Sequence, residues 1–104
     1  MSSDSSERST VAKYQVLYWK DIPSVVEASD GTDTAKIQLS DRFQLLIDAV
    51  AMRLGLAGTD AYLDQWEHGD ESERPGSPGA VAKAVAQELE AKFADFRERG
   101  LGGS

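Results

Sequence analysis

The one histidine of the chain, His68, sits in the run EHGDESER, where Glu67, Asp70, Glu71 and Glu73 surround it with carboxylates and Ser72 adds a hydroxyl. Residue types like these can do two kinds of chemistry. Carboxylate oxygens with an imidazole nitrogen can hold a divalent cation, and a serine beside an imidazole and a carboxylate can act as a nucleophile. The spacing argues against both. A calcium loop needs its glycine at a set place among alternating oxygen ligands, and Gly69 is not at that place. A nucleophile built around His68 would have to be Ser72 or Ser77; the first lies in an acidic loop and the second has the position of a helix cap. A solvated acidic edge is the expectation for this segment. Asp30 and Asp33 around Gly31 read the same way, since aspartate in a turn bonds its own backbone.

Other chemistry is missing by composition. The chain has no cysteine, hence no disulfide framework and no thiolate metal site. No glycine-rich phosphate loop leads from a strand into a helix, and GLAG between two helices has the wrong context for one. There is no nucleophile elbow. No enzyme activity, no cofactor and no metal are expected.

The aromatic residues carry more information. In YQVLYWKDIP, residues 14–23, four large side chains occupy six positions. On a strand, Tyr14, Val16 and Tyr18 share one face, while Gln15, Leu17 and Trp19 share the other. A small sheet packed by helices on one side needs one apolar face, so the second requires a packed layer or a partner. Trp66 in DAYLDQWEHGD, four positions after Tyr62, is likewise followed by charged and polar residues. Aromatic side chains serve cores and interface anchors alike. The surplus of such surface points to protein binding. The expected docking face centres on Leu17 and Trp19, with Tyr62 and Trp66 or the apolar residues Leu45 and Met52 beside it; Lys20, Asp21 and Arg42 would set orientation by charge. Homodimerisation through the same face is a variant. A rival reading is a small-molecule or cofactor pocket between helices and sheet, lined by Tyr18, Tyr62, Trp66 and Met52.

These residues need elements to position them. A strand is expected from about Lys13 to Lys20. DIPS reads as a turn around Pro23, SVVEAS as a second strand, and Asp30-Gly31 as the next turn. AKIQL is either a third strand or an extended lead into a helix. DRFQLLIDAVAMRLG is helical, with Ser40 as N-cap, Asp41 in the first turn, Arg53 in the last and Gly55 just beyond. At about 100° per residue, Phe43, Leu46, Ile47, Val50 and Leu54 form its core face. A second stripe of Leu45, Ala49, Met52 and Leu56 lies opposite. A short helix capped by Thr59, with Tyr62, Leu63 and Trp66 on one side, could fold back over that stripe. EHGDESERPGSP is a loop or an exposed edge strand. Ser77 and Pro78 start a last helix whose apolar arc runs through Val81, Val85, Leu89, Phe93 and Phe96.

The whole is an α+β domain: a small antiparallel sheet, its first strand central, packed on one face by two long amphipathic helices and joined by one short helix. At 104 residues the chain is one domain. Residues 12–98 are expected to fold, with a disordered polar tail at 1–11 and a flexible glycine-rich one at 99–104. The first residues lack the apolar run of a signal peptide, and no segment resembles a membrane span, so a cytoplasmic location is expected. Eighteen acidic against eleven basic residues leave a net charge of −7, which opposes docking on nucleic acid.

At YQVLYWKDIP, DRFQLLIDAVAMRLGLAGTDAYLDQW and SPGAVAKAVAQELEA, the chain resembles small bacterial proteins known as virulence factors. A similar domain forms the C-terminal part of the conserved virulence factor C proteins. The resemblance is carried by Tyr18 to Pro23, Arg42-Phe43, Ile47-Asp48, Ala51-Met52, and Gly58 to Leu63 through Trp66. It departs at HGDESERPG, where an aromatic after the glycine is expected and Asp70 stands instead. The resemblance implies an accessory protein with no catalytic residues to carry over, associated in some members with one-carbon and corrinoid methyl transfer.

Overall fold

The structure is a computed structural model that describes residues 11–102; of the tails expected at 1–11 and 99–104, residues 1–10 and 103–104 lie outside the described residues, and Val11 already belongs to the first strand. Val11–Trp19 forms β1 and Ile22–Ser29 forms β2, an antiparallel hairpin closed by Lys20 and Asp21. Lys20 takes a φ of 55°, the left-handed conformation that tight hairpin turns demand and that Gly or Asn supplies most easily. Pro23 is not in the turn, as DIPS suggested, but buried within β2 opposite Tyr18. The register passes from Leu17↔Val25 to Tyr18↔Pro23, so Ser24 is an extra residue, a bulge that accommodates a strand proline without an N–H. The Ser24 carbonyl accepts instead from the Leu39 N–H at 2.9 Å.

Thr34–Gln38 forms β3 on the outer side of β2, so the strand reading of AKIQL holds. The loop before it is closed by Asp30, whose carboxylate accepts from the Asp33 and Thr32 N–H groups at 2.8 and 2.9 Å. The other side of β1 receives two short strands, β4 (Trp66–His68) against Leu17–Trp19 and β5 (Ser72–Pro75) against Val11–Tyr14. The acidic segment is therefore an interrupted edge strand, and β1 is central in a five-stranded antiparallel sheet.

The helices are α1 (Asp41–Arg53), α2 (Asp60–Asp64), α3 (Pro78–Ala91) and α4 (Phe93–Arg97). Ser77 caps α3 as expected, its Oγ accepting from the Ala80 N–H. The expected continuous last helix breaks at Lys92 (φ −100°, ψ 11°). The break lets Phe93 and Phe96 close on Phe43 of α1, edge to face at 5.0 and 6.1 Å. Helix α3 lies across β1, β2 and β3. Its buried Val81, Ala82, Val85 and Ala86 meet the face that carries Ala12, Val16, Val26 and Ala28. Of the expected core face of α1, Phe43, Leu46, Ile47 and Val50 are buried. Leu54 is not, because the helix ends at Arg53, and Ala51 faces inward instead.

Residues 99–102, expected as flexible tail, belong to a wide helical turn, Glu98–Gly102, that packs on α1. A Cβ on Gly100 would stand 2.8 Å from Val50 Cγ2, so only glycine permits this approach. The Leu101 carbonyl accepts from the Arg53 guanidinium, and Leu101 packs against the core. No helix among the described residues is long and apolar enough to cross a membrane.

Candidate functional site

Trp19, the expected centre of a docking face, has 0 % of its surface exposed. Plain alternation places it beside Gln15 and Leu17, but the bulge sharpens the local twist, and beyond it Trp19 and its partner Ile22 are both buried. The indole is covered by α2. Its Nε1–H donates to the Tyr62 carbonyl at 2.8 Å, and the Tyr62 ring lies 5.3 Å away. Trp66 pairs with Trp19 across the strands and meets Tyr62 edge-on at 6.3 Å. The three aromatic residues thus satisfy one another inside the domain, with Tyr62, Trp66 and Leu17 half-buried. Trp19 is a core residue and not a contact for a partner.

Because α2 is committed to Trp19, it does not fold over the second stripe of α1. Leu45 and Met52, two turns apart, remain 66 % and 71 % exposed, with Ala49 half-buried between them. Leu54 just past α1 and Leu63 on α2 are exposed as well. Arg42, expected to orient a partner, is already held. Its Nη2 donates to the Glu90 carbonyl at 2.7 Å and to Glu90 Oε1 at 3.0 Å, and its guanidinium lies 4.5 Å over the Phe93 ring. Ser40 joins the same carboxylate through its N–H at 2.7 Å and its hydroxyl at 2.8 Å. Burial acts to raise the Glu90 pKa, yet the hydrogen bonds from Ser40 and Arg42 outweigh it and hold the group below the usual carboxylate value. Ser40 therefore makes no side-chain cap bond of its own.

Lys20 and Asp21 project from the hairpin tip beside an open hollow of about 430 Å³, whose wall includes Tyr18, Lys92, Phe96 and Arg99. Gly69 also borders it, and a Cβ there would lie 2.9 Å from Tyr18 Cε1. Burial, and then neighbouring Tyr14, raise the Tyr18 pKa, so its hydroxyl keeps its proton at neutral pH. Tyr62, Trp66 and Met52 do not line this hollow. The four residues of the rival pocket reading are not brought together.

The acidic edge offers no assembled chemistry. Glu67, His68, Asp70, Glu71 and Glu73 are all exposed. His68 Nε2 faces Glu27 Oε2 across the sheet at 3.6 Å. Among the described residues no three His, Asp or Glu side chains group as metal ligands would. Arg74 turns away to Glu88 on α3, Nη1 to Oε2 at 2.7 Å, pinning β5 to the helix.

Sequence reasoning missed Glu90, Lys92, Arg99 and the Arg74–Glu88 pair. Partners 14 to 50 residues apart leave no local spacing to read; the lone hint was the ring-rich FADF segment beyond Lys92. No curated protein and no solved structure matches the chain. The model of one family, described as virulence factor, matches residues 17–101.

Proposed function

The chain belongs to the virulence factor family, and on that premise we propose that it is a non-catalytic accessory module of the cytoplasm that docks on a protein partner through the outer stripe of α1. One observation carries this reading: Leu45 and Met52 stay open to solvent on a helix whose opposite face is fully buried. Large apolar side chains aligned on one rigid element are the pattern of a helix that fits a groove or a second helix. Leu54 and Leu63 extend the exposed apolar surface, while Trp19, Tyr62 and Trp66 hold the scaffold from inside. The net charge of −7 favours a partner with a basic rim over any phosphate backbone.

The test compares wild type with the double variant Leu45→Glu/Met52→Glu, both checked for fold by circular dichroism. Light scattering over a concentration series reads self-association, and affinity capture from native lysate reads a foreign partner. A dimer or a captured protein that the double variant loses supports the stripe. A wild type that stays monomeric and retains nothing that the variant lacks removes it.

A further inference from the structure

The hollow at the hairpin tip carries chemistry that the α1 stripe does not use. It has two lobes, which share Lys20, Asp21, Phe96 and Arg99. The larger adds Lys92 and the Tyr18 ring. The smaller, about 180 Å³, is walled by Ile22, Val50 and Leu54.

Charge is distributed against the trend of the molecule. The chain is acidic overall, yet Lys20, Lys92 and Arg99 converge here against two carboxylates, Asp21 and Glu67. Among the described residues none of these three cations stands in an ion pair; Arg99 leans over the Phe96 ring at 5.6 Å, and Lys92 lies near enough to Glu88 to lower its pKa slightly. Lys20 holds a hairpin position whose φ of 55° Gly or Asn adopts more easily, so a glycine there would remove the ammonium without straining the turn.

We propose that this two-lobed hollow binds a small organic phosphate monoester, its phosphate held by Lys20, Lys92 and Arg99 and its apolar part in the lobe of Ile22, Val50 and Leu54. Against Asp21 and Glu67 the three cations leave an excess of positive charge that suits an anion, and a planar guanidinium such as that of Arg99 suits two oxygens of a phosphate. The Tyr18 ring forms part of the same wall. The smaller lobe is close in size to the cavity of about 150 Å³ that holds a benzene ring, with exposed Leu54 as its open apolar wall and the buried Ile22 and Val50 behind it.

The experiment titrates the full chain, labelled with ¹⁵N, with phenyl phosphate, inorganic phosphate and benzyl alcohol. Phenyl phosphate should give saturable shifts at the Lys20, Leu54 and Arg99 amides, inorganic phosphate should bind more weakly, and benzyl alcohol should leave those signals in place. Lys92→Ala/Arg99→Ala should weaken phenyl phosphate by about tenfold or more with the circular dichroism spectrum of the folded chain kept. Lys20→Gly should weaken binding without lowering Tm, a combination that a purely structural lysine would not give. Absence of saturation at millimolar phenyl phosphate overturns the site, as does undiminished affinity in the double variant. Inorganic phosphate binding as tightly as phenyl phosphate overturns the apolar lobe.

Discussion

Trp19 puts a whole indole into the core and still satisfies its only polar group, because the Tyr62 carbonyl sits 2.8 Å from Nε1. Its removal deletes the largest of the fully buried side chains and leaves a cavity that the sheet and α2 cannot both collapse into. Trp19→Ala should cost about 3–5 kcal/mol, a large share of the roughly 5–15 kcal/mol that holds a domain together. Urea denaturation measures this. A cost under about 1 kcal/mol would mean that the indole is not packed as described. Leu45 gives the contrast, since its exposed side chain has little burial to lose. The residue types YW were readable as large apolar surface; which way each ring turned was not, because the bulge at Ser24 changes the twist after Leu17 and nothing local in YQVLYWKDIP announces it.

Between elements, Glu90 makes a polar tie from the end of α3 to the start of α1, through Ser40 and Arg42. It gives the stability a sign in pH. The folded Glu90 pKa lies below its usual value of 4.5, so the native state holds its proton less readily than the unfolded chain does. The contribution is complete above that value and is lost as pH falls through the lower folded pKa. Glu88, lowered by its bond to Arg74, acts in the same direction. Tm followed from pH 7 to pH 3 should therefore fall on the acid side. Glu90→Gln should lower Tm at pH 7 and flatten the acid limb, with the remainder owed to Glu88 and other carboxylates. Parallel curves for wild type and variant would show that Glu90 is not held in its charged form. The helices themselves were legible from periodicity, and so was the Ser77 cap; the Ser40 hydroxyl was not, because its partner lies 50 residues away.

At the scale of the molecule, the two tryptophans of the chain, Trp19 and Trp66, both report on the seam where β1, β4 and α2 meet. Far-ultraviolet circular dichroism reports mainly on α1, α3 and the sheet. If α2 and the Glu98–Gly102 turn complete one core, as Tyr62 and Leu101 packed against the buried cluster indicate, unfolding is a single cooperative event. Fluorescence and dichroism should then give coincident urea transitions. A fluorescence transition that precedes the dichroism one would mean that α2 detaches while the rest stays folded, and with it the cover over Trp19.

Local patterning was enough to establish the α+β class, the central place of the first strand, the inner face of α1 from Phe43 to Val50 and the start of α3 at Pro78. Those follow from periods of 3.6 and 2 residues and from cap and turn residues, all of which act over a few positions. Tertiary packing alone decided that α2 covers Trp19 and leaves Leu45 and Met52 open, that α3 breaks at Lys92, and that Lys20, Lys92 and Arg99 surround one hollow. Burial depends on which neighbours arrive from tens of residues away, and a helix with two apolar stripes carries no internal mark of which stripe they will reach.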